Sequence, residues 1–196
     1  MPNHRTHTKP AAAVAVSLFA LASAARGAVL CQDPNPDILI PATTAGVYVN
    51  LVTGVNAITP AGAPNWDINP WSTTLQYYFN NAADPSSAGA VAATAGGNLL
   101  ELSGSATVSS AELYSTETPT DAQMVDWQNG STGQYLGVRF WNESLGVPAI
   151  NYGWIQVDTT TATGHPANIR RWCYEDSGAA ITTGTTPVEL QTFTVE

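Results

Sequence analysis

Any catalysis by this 196-residue chain must draw on a short inventory: three histidines, two cysteines and fifteen carboxylates. His4 and His7 fall in the first ten residues, which leaves His165 as the only imidazole in the body of the chain. Nucleophilic hydrolysis needs a base held beside its nucleophile. His165 stands instead in TTATGHP, next to Pro166, and no G-x-S-x-G elbow occurs. It reads as a loop histidine without a catalytic role. Zinc fares no better, because one histidine and two cysteines that pair with each other leave too few ligands without carboxylates. Asp33, Asn35 and Asp37 begin a calcium-loop spacing, but the glycine and the distant glutamate are missing and Pro34 and Pro36 fill the spacers. That stretch reads as a solvated entry segment, so no metal or cofactor is expected. Glycosidase chemistry needs two carboxylates and no histidine. Glu101, Asp126, Glu143 and Glu175 are available for it, although spacing along the chain does not set the separation that the reaction requires.

Binding chemistry has more material. Trp66, Trp71, Trp127, Trp141, Trp154 and Trp172 are joined by Tyr77, Tyr78, Tyr135 and Tyr152. Flat aromatic faces beside Asp, Asn and Gln suit a sugar platform, with ring C–H groups stacking and amides taking hydroxyls. The same residues also build β cores through cross-strand pairs, so core packing is the competing account. Trp71, Trp141 and Trp154 are the ligand-binding candidates, since they stand beside polar turns or opposite the aliphatic face of their strand. Cys31 and Cys173 are expected to form a disulfide. A loop of that length would be stabilised by about 5 kcal/mol on chain-entropy grounds. In the competing account Cys173 is a small buried hydrophobe and Cys31 a free thiol.

The N-terminus reads as a targeting segment. Arg5 and Lys9 precede the apolar run Ala11–Ala22, which is too short for a stable membrane anchor, and small residues follow. Residues 1–28 are therefore expected to be a signal peptide, cleaved near Gly27–Ala28, and residues 29–196 a single β-sandwich domain. Leu30 before Cys31 argues against lipid attachment. The remainder keeps Arg139, Arg170 and Arg171 against fifteen carboxylates, a formal charge of about −12. Such a surface repels phosphate backbones and anionic membranes, so nucleic acid is excluded as a partner. No second apolar run of spanning length occurs, so no membrane anchor is expected, and the compartment reads as oxidising and extracytoplasmic, either extracellular or periplasmic.

The strongest structural signal is the stretch 135–157. Tyr135–Trp141 and Ile150–Val157 are aromatic-rich β runs joined by an Asn, Ser, Gly and Pro segment, which predicts a central antiparallel hairpin. Leu136, Val138 and Phe140 share one face; Ile155 and Val157 oppose Tyr152 and Trp154. In a third run, expected at Ala167–Glu175, Ile169, Arg171 and Cys173 alternate with Arg170, Trp172 and Tyr174. Further short strands are expected at Asp37–Pro41, Val47–Thr53, Trp66–Asn69, Thr74–Asn80, Val91–Ala95 paired with Asn98–Ser103, Ala106–Ser109, Ala180–Thr182 and Val188–Val195. Asn56–Pro64 reads as a loop. Thr120–Gln128 is the one helix candidate, a turn or two long, with Thr120 and Gln123 as a capping box. Arg139, mid-strand among apolar neighbours, is expected to pair with Glu175, Asp158 or Asp126, or to stack on a ring. The fold class is all-β: an antiparallel β-sandwich or jelly roll with at most one short helix near 120–128.

TTAGVYVNLVTG, WDINPW, YLGVRFWNES, NYGWIQV and RWCYEDSGAAI together resemble a family of exported bacterial β-rich proteins. Its members are usually labelled uncharacterised, and many carry a C-terminal PEP-CTERM-type sorting signal. The likeness runs over about residues 37–182. It implies export and a β-rich domain, and it carries no activity. The end, TPVELQTFTVE, resembles the segment before such a tail, but no Pro-Glu-Pro motif, apolar helix or basic cluster follows. The functional expectation is a secreted protein with a structural, adhesive or matrix-associated role, in contact with polysaccharide or extracellular matrix. The alternatives are a carbohydrate-binding module built on exposed Trp and Tyr, and a paired-carboxylate glycoside hydrolase.

Overall fold

The computed structural model describes residues 27–80, 88–116, 118–145 and 149–187. Residues 1–26 of the expected signal segment and the expected strand Val188–Val195 lie outside the described residues. In chain order the strands are β1 (Val29–Gln32), β2 (Ile38–Ile40), β3 (Tyr48–Val49), β4 (Asn56–Ala57), β5 (Ile68–Trp71), β6 (Gln76–Phe79) and β7 (Gly89–Val91). They continue as β8 (Thr107–Val108), β9 (Tyr114–Ser115), β10 (Gln134–Asn142), β11 (Ala149–Asp158), β12 (Ala167–Glu175) and β13 (Ile181–Thr182). One helical turn, α1 (Val125–Gln128), follows a 3-10 turn at Asp121–Gln123. The Gln123 side-chain oxygen accepts from the Thr120 amide at 2.8 Å, the expected capping contact.

The architecture is the expected all-β sandwich. A seven-stranded sheet runs β1-β12-β11-β10-β7-β9, with β2 also on β12, and its centre is the β10–β11 hairpin. A four-stranded sheet, β4-β3-β5-β6, covers one face, and the β8–β13 ribbon covers the other. Alternation explains why both faces are filled. Leu136, Val138, Phe140, Ile155 and Val157 pack toward Val49, Ile68, Tyr77 and Phe79 of the smaller sheet. Tyr152, Trp154 and Cys173 turn the other way, onto Val108 and Ile181. The Trp172 indole N–H crosses between sheets to donate to the Leu51 carbonyl at 2.8 Å.

Several local expectations need correction. A register shift at Gln156/Val157 makes Ile169 share its core with Trp172 and Tyr174, not with Cys173. Pro70 and Trp71 do not interrupt the strand at 66–69: β5 continues through them, because the Pro70 carbonyl accepts from Val47 and a proline at this position gives up only a donor. Asn56–Ala57 is a strand paired with β3, where a loop is expected. Val29–Gln32 and Tyr114–Ser115 add strands that the sequence reading lacks. Cys31 and Cys173 are bonded as direct cross-strand partners of β1 and β12, with Cα atoms 4.1 Å apart.

Candidate functional site

The outer face of the four-stranded sheet carries a cluster of aromatic side chains that lie outside the core. In β5 and β6, Ile68 pairs with Phe79 and Pro70 with Tyr77, all buried. The intervening positions, Asn69 opposite Tyr78 and Trp71 opposite Gln76, therefore face away from that core, with Tyr78 exposed, Trp71 half-buried and Asn69 buried beneath the turn before β3. Tyr48 takes the same side by alternating with buried Val47 and Val49. Trp66 joins the rings. Its centroid lies 5.0 Å from Tyr48, edge-on, and 5.4 Å from Tyr78, tilted. Tyr78, 46% exposed, is the one aromatic among the exposed large hydrophobic residues of the described chain.

These rings border a cleft of about 270 Å³ lined by Thr44, Tyr48, Asn69, Trp71, Tyr78 and Thr118. Its wall is the turn before β3, held against β5 from several sides. The Asn69 amide donates to the Ala45 carbonyl at 2.9 Å, the Ser72 amide to Thr43 at 2.7 Å and the Val47 amide to Pro70 at 3.1 Å. Gly46, at φ +64°, permits this closeness: a Cβ there would lie 2.2 Å from the Pro70 oxygen and 2.5 Å from the Trp71 Cβ. Beyond the far end, Gln76 donates to Asp121 at 2.9 Å. Among the described residues no charged side chain lines the cleft. The Trp71 indole N–H is buried and has no acceptor among the described residues.

Of the tryptophans singled out from the sequence, only Trp71 lines this cleft. Trp154 is fully buried in the opposite core, edge-on to Tyr135 at 5.0 Å and covered by the Arg171 guanidinium at 5.6 Å. Trp141 is half-buried on the face of β10 opposite Phe140, away from the smaller sheet. The three do not share a surface. Tyr48, Trp66, Asn69 and Tyr78 complete the face instead. Alternation within VYVNL and QYYF is the signal that finds Tyr48 and Tyr78, since each stands between two inward neighbours.

The remaining chemical candidates have other placements. His165 donates through Nε2 to the Ser72 carbonyl at 3.0 Å, pinning the β5–β6 turn, and burial lowers its pKa. Glu175 accepts from the Ser177 amide and hydroxyl at 3.0 and 2.7 Å and from the Ala179 amide at 2.7 Å, so it organises the turn after β12. Burial raises the Glu101 carboxyl, the Ser131 hydroxyl opposes this, and the charge of Asp126 adds to it. Burial likewise raises Glu143. None of these carboxylates lines the aromatic cleft, and the groove between residues 34–41 and 47–58 contains Asp37 alone. Arg139 stacks over Tyr114, 4.5 Å from its centroid; the cation paired with Asp158 is Arg170, at 2.8 Å.

Among the described residues no group of three or more His, Cys, Asp and Glu is arranged to hold a metal ion, and no helix is long and apolar enough to cross a membrane. Comparison with known proteins finds no matching family model, no matching curated protein and no matching solved structure.

Proposed function

We propose that the protein is an exported β-sandwich that attaches to polysaccharide through the aromatic face of its smaller sheet, in a structural or matrix-associated role. The observation that carries this reading is the cleft itself. Tyr48, Trp66, Trp71 and Tyr78 gather on one face, with the Thr44 and Thr118 hydroxyls beside them and, among the described residues, no charge in the lining. Sugar rings offer apolar C–H faces to aromatic side chains and hydroxyls to amides and alcohols, and this surface presents both kinds of partner. Core packing does not account for Tyr78, whose ring is open on a strand whose neighbours are buried.

Export rests on the basic N-region and apolar run before Gly27, on the Cys31–Cys173 bond, which suits an oxidising compartment, and on the resemblance to exported bacterial β-rich proteins. The same features support an extracytoplasmic location, extracellular or periplasmic.

The test is affinity electrophoresis against a panel of soluble polysaccharides. Wild-type protein is retarded by at least one of them, and Tyr78→Ala and Trp71→Ala abolish the retardation. Tyr78→Ala costs no more than about 1 kcal/mol, because nearly half of the residue is exposed and the ring gives up its contact with Trp66. Retardation that survives both substitutions, or displacement by a proline-rich peptide and not by oligosaccharide, contradicts the proposal.

A further inference from the structure

The charge distribution around the cleft narrows the class of ligand, given the saccharide reading above. We infer that the aromatic face selects uncharged glycans and rejects acidic ones, and that this selectivity arises because every cation of the described chain is committed elsewhere. Recognition of uronate, sulfate or phosphate groups in sugars relies on Arg or Lys forks aimed at the anion. The described residues contain three such side chains, Arg139, Arg170 and Arg171. Arg139 lies over Tyr114 at 4.5 Å, in the core on the far side of the seven-stranded sheet. Arg171 lies over Trp154 at 5.6 Å, in that same core. Arg170 is held by Asp37 at 3.1 Å and Asp158 at 2.8 Å, beyond β12. None lines the cleft, where Thr44, Asn69 and Thr118 are the polar groups.

Among the described residues a carboxylate stands beside the cleft. Gln76 is the cross-strand neighbour of Trp71, and its amide holds the Asp121 carboxylate at 2.9 Å. A polyanion approaching Trp71 meets that carboxylate and the acidic field of the whole molecule with no local compensation. An uncharged glycan meets neither obstacle. Its binding depends on stacking and neutral hydrogen bonds, so salt has little effect on it.

Isothermal titration separates the two classes, with hydroxyethylcellulose and galactomannan as neutral probes and alginate and polygalacturonate as acidic ones. At least one neutral probe binds roughly tenfold or more tightly than either acidic probe, and its affinity is unchanged between about 20 mM and about 500 mM NaCl. Thr44→Lys places a cation on the cleft wall. It brings acidic-probe affinity to within a few-fold of neutral at the lower salt and loses that gain at the higher, while the thermal midpoint reports that the variant is folded. Tighter wild-type binding of alginate or polygalacturonate, or neutral binding that collapses in salt, overturns the inference while leaving the saccharide site standing. If no probe binds, or if Tyr78→Ala binds as wild type does, the site itself is overturned and the selectivity with it.

Discussion

Asp67 shows how a single buried carboxylate supports the binding face without belonging to it. It sits between Trp66 and Ile68, only 4% exposed, and its Oδ2 accepts from the Leu51 amide at 2.6 Å. Its own amide donates to Val49 at 2.8 Å, and its carbonyl accepts from Asn80 at 2.9 Å. Burial pushes the carboxyl well above the usual carboxylate range; the Leu51 amide opposes this and the charge of Glu143 reinforces it. Between the ordinary carboxylate range and that raised value, the folded state holds a proton that the unfolded chain has released. Stability must fall as pH rises from the ordinary carboxylate range through the raised folded value. Asp67→Asn keeps an acceptor for Leu51 and removes the titration. Urea unfolding across mildly acidic to neutral pH is expected to show wild type losing stability relative to this variant as pH rises; parallel profiles would contradict the assignment. This role is invisible in the sequence, where Asp67 is one of fifteen carboxylates and nothing marks it as buried. The opposite holds for Tyr78, whose outward position follows from two-residue alternation alone.

At the scale of elements, the four-stranded sheet presents the rings and the turn before β3 sets the cleft wall. Gly46→Ala tests that turn, since the substitution needs a left-handed backbone for a residue with a side chain and drives its Cβ toward Pro70 and Trp71. Chemical denaturation is expected to show a loss of about 1–3 kcal/mol, with weaker retardation by polysaccharide. The tie between sheets is tested by Trp172→Phe, which strands the buried Leu51 carbonyl and should cost about 2–3 kcal/mol in the same assay. An unchanged midpoint for either variant would remove these contacts from the account. The β10–β11 hairpin was legible because hydrophobic alternation runs unbroken from Leu136 to Phe140 and again through Val157. Along β12 the same reasoning failed, because the bulge beside Arg170 and Arg171 resets the face on which each later side chain falls. Pro70 misled for a related reason: it reads as a terminator, yet it sits where only its carbonyl is used.

For the molecule as a whole, the Cys31–Cys173 bond fastens the first strand to the last long one and closes a separation of 142 residues. Replacing both cysteines with alanine is expected to cost up to about 5 kcal/mol, read from denaturant midpoints of oxidised wild type and the double variant. Equal midpoints would mean that β1 is held by the sheet alone. The bridge, the all-β class and the short helical segment near residues 120–128 were all readable from composition and spacing. The binding face was not. Six tryptophans are indistinguishable by type, and only the packing of two sheets and a ribbon separates buried Trp127, Trp154 and Trp172 from Trp66 and Trp71 at the surface. That separation also supplies the most direct test of the account. In a nitrogen–proton correlation spectrum, titration with a neutral polysaccharide that retards the protein should shift the Trp71 and Trp66 indole resonances and leave those of Trp127, Trp154 and Trp172 in place. Shifts confined to Trp141, or no indole shift at saturating ligand, would show that the aromatic face of the smaller sheet is not where the glycan binds.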